Sequence, residues 1–187
     1  NAGKIVWKRT YQTGQSNSLN NIQATQDGNY IASGQIVLEG TKSAGWLLRL
    51  DQSGAIQWQR TYPRGQSASI LTTLQTKDGD FIVAGKSRPF DYDGTHLSAW
   101  VMKTDSAGAP LWQRYFRGDY SYEAADMVVY EDGRASLLLN AGGTFGDNRS
   151  HARIITFSPQ GKIMHLEDFT EGQNAYSHRL VAGLGGE

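Results

Sequence analysis

The sequence predicts an all-β protein assembled from a repeated unit of four short antiparallel strands, and three observations carry that prediction. Trp7, Trp58 and Trp112 stand 51 and 54 residues apart, and His165 holds the next place, 53 further on. The pairs Asp27-Gly28, Asp78-Gly79 and Asp132-Gly133 advance by the same 51 and 54. Trp46 and Trp100, again 54 apart, form a third series that Arg153 continues. Markers that advance together define a structural repeat. No stretch keeps a 3.6-residue period, so almost no helix is expected.

Each unit reads as two hairpins. "LNNIQATQDGNYIASGQ" and "ILTTLQTKDGDFIVAGK" alternate polar and apolar residues around an Asp-Gly pair. That pattern predicts strands one and two, joined by a two-residue turn with positive φ at both central positions. "GWLLRLDQSGAIQWQRTY" and "AWVMKTDSAGAPLWQRYF" predict strands three and four, with Asp-x-x-Gly as the turn. Residues two apart share a face of a strand, so Ile56, Trp58, Arg60 and Tyr62 lie together on the fourth strand.

Four-stranded units of this length suggest the blades of a β-propeller, in which strand edges stay short and protected. The recurring tryptophan is then expected between adjacent blades, where a large flat side chain buries much apolar area. The units run over approximately 12–62, 63–116 and 117–169. Residues 170–187 form a partial fourth unit, and residues 1–11 the outer strand of a preceding blade. That makes about three and a half blades, expected to be part of a larger ring of seven or eight, with the missing blades supplied by the same chain or by a second copy. Open repeat ends expose strand edges and invite such association.

The string DG-x-Y-I-x-x-G followed by W-x-x-K/R-x-D-x-x-G-x-I-x-W-x-R-x-Y resembles the repeats of bacterial and archaeal secreted or envelope β-propellers. The Gly-x-x-x-Trp elements, Gly54 to Trp58 and Gly108 to Trp112, are also similar to the tryptophan-docking segment of quinoprotein-like propeller repeats. The resemblance covers almost the whole chain and implies architecture and an extracytoplasmic setting, not an activity. The third unit departs from it. It has "EDGRASLLLNAGG" where the hairpin aromatic belongs, Arg153 for Trp46 or Trp100, and His165 for the docking tryptophan.

Composition narrows the function classes. The 187 residues include 18 Lys+Arg and 18 Asp+Glu, for a formal net charge of zero. Without a basic stripe, nucleic acid and polybasic membrane contact are not expected, and no apolar run reaches the roughly 20 residues of a spanning helix. No cysteine is present, which removes disulfides, thiolate metal sites and cysteine nucleophiles. The four histidines lack zinc spacing, and "DYDG" and "FGDN" lack the closing carboxylate of a calcium loop. No metal or cofactor is expected.

Strand direction puts two sets of loops on one face: those between blades and those between second and third strands. The longest, residues 86–97, holds Arg88, Phe90, Asp91, Tyr92, Asp93 and His96. Arg64, Tyr120, Phe145 and Asp147 lie in neighbouring loops of that face. Aromatic and arginine side chains on rigidly held loops are typical interface anchors. Arg9, Arg60 and Arg114 each follow a docking Trp by two residues, a recurrence expected of an ion pair or cation–π contact. Gly28, Gly79, Gly133 and the five tryptophans Trp7, Trp46, Trp58, Trp100 and Trp112 are expected to be structural. No Gly-x-Ser-x-Gly elbow accompanies the repeated Ser16, Ser67, Ser18 and Ser69. The expected function is a non-catalytic module that binds a protein, peptide or glycan through this face. The alternative is an accessory or catalytic domain of an extracytoplasmic hydrolase or lyase, with a site at the channel mouth.

Overall fold

Among the described residues, the turns that join first to second strands and third to fourth strands follow one geometry, and it is not the one the Asp-Gly pairs predict. In the first, Thr25 N donates to Asn29 O at 2.9 Å and Gly28 N donates to Thr25 O at 2.9 Å. Only the glycine has positive φ, 77° at Gly28, and no non-glycine residue does. The loop therefore has three residues, a type I turn closed by a left-handed glycine, instead of a two-residue turn with both centres left-handed. Asp27 stays at negative φ because its carboxylate accepts hydrogen bonds from Thr25 Oγ1 and Asn29 N. The Asp-x-x-Gly turn at 51–55 repeats the pattern, with Asp51 Oδ1 accepting from Ser53 N and Ala55 N at 2.8 Å each.

The computed structural model describes residues 3–38, 42–88, 96–118, 120–142, 150–169 and 177–183. Twelve antiparallel strands form three four-stranded sheets, each in simple sequence order. The first sheet holds β1 (Ser16–Ala24), β2 (Tyr30–Val37), β3 (Ser43–Leu50) and β4 (Ile56–Tyr62). The second holds β5 (Ser67–Gln75), β6 (Phe81–Arg88), β7 (Ser98–Thr104) and β8 (Pro110–Phe116). The third holds β9 (Ser121–Val129), β10 (Ala135–Gly142), β11 (Ser150–Phe157) and β12 (Ile163–Phe169). The described residues contain no helix.

The sheets stack in order. β5 packs across β1, β2 and β3, and β9 packs across β5, β6 and β7. Between the first and second sheets lie Ile31, Leu47, Ile70, Phe81, Val83, Trp100 and Met102; between the second and third lie Ile82, Val101, Met127, Leu137, Leu139, Ile155 and Phe157. Trp46 and Trp100 are 0% and 2% exposed. At about 25 cal/mol per Å² over 150–250 Å², each contributes roughly 4–6 kcal/mol before the entropy of ordering it.

The docking motif is the joint between sheets. A Cβ on Gly54 would fall 2.8 Å from the Trp7 ring, on Gly108 3.2 Å from Trp58, and on Gly161 2.6 Å from Trp112. Each outer-strand tryptophan thus lies on the glycine of the following sheet's last turn, where any side chain would push it away. The residue four further on completes the joint: Tyr11 Oη donates to Gly54 O and Tyr62 Oη to Gly108 O, both at 2.7 Å. The intervening arginines lie over the rings, Arg60 5.8 Å from the Trp58 centroid and Arg114 5.9 Å from that of Trp112.

Residues 3–13 use the same joint but carry no strand pairing, contrary to their expected strand, because no third strand lies beside them among the described residues. The expected first strand of the fourth unit likewise has no ladder over residues 177–183. That segment is tied to the third sheet by single bonds, Leu180 N to Asp126 Oδ2 and a reciprocal Asn140–Ser177 pair, each at 2.9 Å.

The altered third unit has a physical explanation. Arg153, standing where Trp46 and Trp100 stand, faces Asp168 across the β11–β12 ladder and binds it through two nitrogens at 2.5 and 2.9 Å. Its guanidinium also lies 5.3 Å from the Tyr122 ring centroid. The arginine replaces buried indole area with an ion pair and a ring contact, and holds the Asp168 carboxyl below its ordinary range.

Candidate functional site

Two irregularities recur in the strand pairing of every sheet: one between third and fourth strands, which skips Gln57, Leu111 and Met164, and one between first and second strands. Leu19 pairs with Gly34 and Asn21 with Ser33, leaving Asn20 without a partner. Leu71 is skipped in the same way between Ile70 and Thr72, and Ala125 between Ala124 and Asp126. These are β-bulges, which bend the strand and re-aim the extra side chain. The bend brings main chain together so closely that a Cβ on Gly34 would fall 1.9 Å from Ser18 O, and one on Gly85 1.9 Å from Ser69 O.

The bulged residues meet. Asn20, Leu71 and Ala125 line one cavity of about 870 Å³ with Leu19, Leu97 and Glu123. Asn140, Ser177 and His178 extend it toward the fourth unit, and His178 is the repeat counterpart of Ala125, 53 residues on. The cavity opens where first strands begin and second strands end, since Ser67 pairs with Arg88 and Ser121 with Gly142. That is the loop face expected from strand direction.

Hydrogen bonds hold its wall. Asn20 Nδ2 reaches across to the second sheet, donating to Ser69 Oγ at 3.1 Å and Ile70 O at 2.8 Å. Leu97 ties the second sheet to the third: its N donates to Ser121 Oγ at 3.0 Å and its O accepts from Tyr122 N at 2.9 Å. The lining residue Glu123 forms an ion pair with Lys86, Nζ to Oε2 at 2.8 Å, with both side chains partly exposed. Volume, mixed lining and a few convergent polar groups are those of a small-ligand or side-chain pocket.

Of the residues expected from sequence to bind, the four that are described, Arg64, Arg88, His96 and Tyr120, are not among the residues that line this cavity. Arg88 ends β6 with its side chain exposed, while its carbonyl accepts Gln66 N at 2.6 Å. His96 Nδ1 lies 3.4 Å from Gly118 O. Arg64 lies 4.2 Å from the Tyr115 ring centroid, and Tyr120 meets His151 edge-on at 5.2 Å. Burial raises the Tyr115 pKa, partly offset by Arg64 and Arg117. Phe90, Asp91, Tyr92, Asp93, Phe145 and Asp147 lie outside the described residues.

Sequence reasoning missed Asn20, Leu71, Leu97, Ala125 and Asn140. The inserted residue shows as nine residues in β1, β5 and β9 against eight in β2, β6 and β10, bounds that strand pairing sets and the sequence does not mark. It also missed a repeated ion pair behind the Asp-Gly turns. Asp27 binds Arg49 at 2.5 Å, and 51 and 54 residues on, Asp78 binds Lys103 at 3.1 Å, with Asp80 adding a contact at 3.0 Å. The K/R before the Asp-x-x-Gly turn is therefore the partner of the first hairpin. The third unit has Thr156 at that place, which joins Ser136 Oγ at 2.7 Å.

Among the described residues no three His, Asp or Glu side chains gather as a metal site, and no helix is long and apolar enough to cross a membrane. The chain matches no family model and no curated protein.

Proposed function

We propose that the three sheets are consecutive blades of a β-propeller of the secreted or envelope repeat type, and that its loop face binds a protein, peptide or glycan without transforming it. One observation carries this reading. The frame is repeated from sheet to sheet, bulge included, while the side chains it presents to the cavity differ: Asn20, Leu71 and Ala125. A position held by the backbone and varied in chemistry suits recognition. The ring is completed by further units of this kind, in the same polypeptide or a second copy, and an extracytoplasmic setting accords with the resemblance of the repeats.

An array of peptides and oligosaccharides, probed with the chain and with Arg88→Ala, His96→Ala and Asn140→Ala variants, tests the reading. Saturable binding that the variants weaken, with the ligand recovered unchanged in mass, is expected. Ligand fragments in the mass spectrum point instead to a hydrolase or lyase. The solution mass of the chain tests the second copy: a dimer supports pairing between chains, a monomer places the remaining blades in one polypeptide.

A further inference from the structure

The hydrogen bond that ties the first sheet to the second has no counterpart at the next step, and that is where the cavity opens. Asn20 spans the first step by donating to Ser69 Oγ and Ile70 O. Fifty-one to 54 residues on, Leu71 takes the place of Asn20, Glu123 that of Ser69 and Ala124 that of Ile70. A leucine side chain has no donor, so it makes no such bond to the acceptors at this step, the Ala124 carbonyl and the Glu123 carboxylate, which Lys86 Nζ engages at 2.8 Å. Leu71, Glu123 and Ala124 all line the cavity. At the third step Asn140 restores a link from a neighbouring strand, bonding Ser177 N and O at 2.9 Å.

Resting on the binding reading above, we propose that an extended peptide segment occupies this gap, with an aliphatic side chain against Leu71 and Leu97 and its main-chain N–H donating to Glu123 and Ala124. Three features select that chemistry. Leu19, Leu71 and Leu97 offer aliphatic surface for a side chain. Lys86 and Glu123 neutralise each other at 2.8 Å, which favours a ligand without net charge at the contact. Asn20, Asn140, Ser121 and Ser177 line the wall beside that aliphatic patch with amide and hydroxyl groups, the mixed surroundings that suit a peptide backbone. Leu71 then acts as the specificity residue: it withholds the inter-sheet bond so that a ligand can make it.

The test uses the full chain, labelled with nitrogen-15, and three pools: capped tetrapeptides with leucine, isoleucine or valine at one place, the same peptides with glycine there, and β-linked glucose and N-acetylglucosamine tetrasaccharides. The aliphatic pool is expected to shift the amides of residues 71, 123–125 and 178 saturably, and the other two pools are not. Leu71→Asn, which installs the donor that Asn20 supplies one unit earlier, is expected to weaken binding at least tenfold with an unchanged melting temperature. Leu71→Ser, which removes the aliphatic contact without that reach, is expected to weaken it about fivefold.

Binding by Leu71→Asn equal to that of the unaltered chain overturns the inference, as does a saccharide pool that shifts the same amides. Peptide-induced shifts confined to residues 86–88 and 96–97 overturn the cavity assignment while leaving the binding module intact. Cleaved peptide overturns the non-catalytic reading itself.

Discussion

A methyl group on Gly161 would lie 2.6 Å from Cδ2 of Trp112, so the indole on the second sheet's outer strand rests directly on the main chain of the third sheet's last turn. Gly161 also has φ of 77°. Gly161→Ala is therefore expected to lose about 2–4 kcal/mol, from left-handed strain plus displacement of a packed ring. Gly79→Ala has comparable φ, 88°, but its methyl meets only Gln75 Nε2 at 3.9 Å, so strain alone should cost about 1–2 kcal/mol. Urea unfolding of both variants separates the terms. Equal losses would mean that the tryptophan contact contributes nothing.

Acid should destabilise the fold. Arg49 holds the Asp27 carboxyl far below its usual range, Ser53 lowers Asp51, Thr76 and then Lys103 lower Asp78, the Arg134 amide lowers Asp132, and Arg153 lowers Asp168. A carboxylate depressed in the folded state contributes stability above its unfolded pKa of about 3.9, and that contribution is lost as pH falls through the folded value. Stability is expected to be level from about pH 5 to 8 and to decline below about pH 4. Asp27→Asn should cost about 1–2 kcal/mol at pH 7 and flatten that decline. Urea midpoints at pH 7, 5, 4 and 3 measure both, and stability that rises on acidification contradicts the assignment.

Tyr115 deprives Trp100 of a partner. In the first sheet Trp46 Nε1 donates to Gln59 Oε1 at 3.0 Å; in the second, the equivalent Gln113 accepts from Tyr115 Oη at 2.5 Å and the buried Trp100 Nε1 has no bond. Thr61 occupies the place of Tyr115 in the first sheet. Tyr115→Thr is expected to let Gln113 turn to the indole, slowing exchange of the Trp100 indole proton about tenfold or more. The change in overall stability should stay within about 1 kcal/mol, because the Arg64 contact with Tyr115 is lost at the same time. Unchanged indole exchange would show that Gln113 does not reach.

Much of the fold was legible because its causes repeat. Trp58 and Gly108 recur at fixed spacing since each sheet must meet the next through the same joint, and a joint leaves an identical mark wherever it is used. The turn type was misread for a local reason: Asp-Gly favours two left-handed residues, but Thr25, Asn29 and Arg49 engage the Asp27 side chain and keep its backbone at negative φ. The Asp27–Arg49 and Asp78–Lys103 pairs were hidden because their members lie 22 and 25 residues apart, and only strand register brings them together. Arg153 read as a worn tryptophan, whereas its partner Asp168 shows a working ion pair across the ladder.

The chain by itself determined the three four-stranded units, the repeat and its turn glycines, because alternation, turn chemistry and the 51 to 54 residue spacing all act within or between neighbouring units. Only the tertiary structure decided the cavity. Asn20, Leu71 and Ala125 belong to three units and converge when the bulged strands stack, and His178 of the fourth unit joins them through a segment without a ladder. Which of them bonds across to the next sheet, and which leaves a gap, depends on what stands opposite after stacking. Asn20 finds Ser69 and Ile70 there; Leu71, facing Glu123 and Ala124, has nothing to give them.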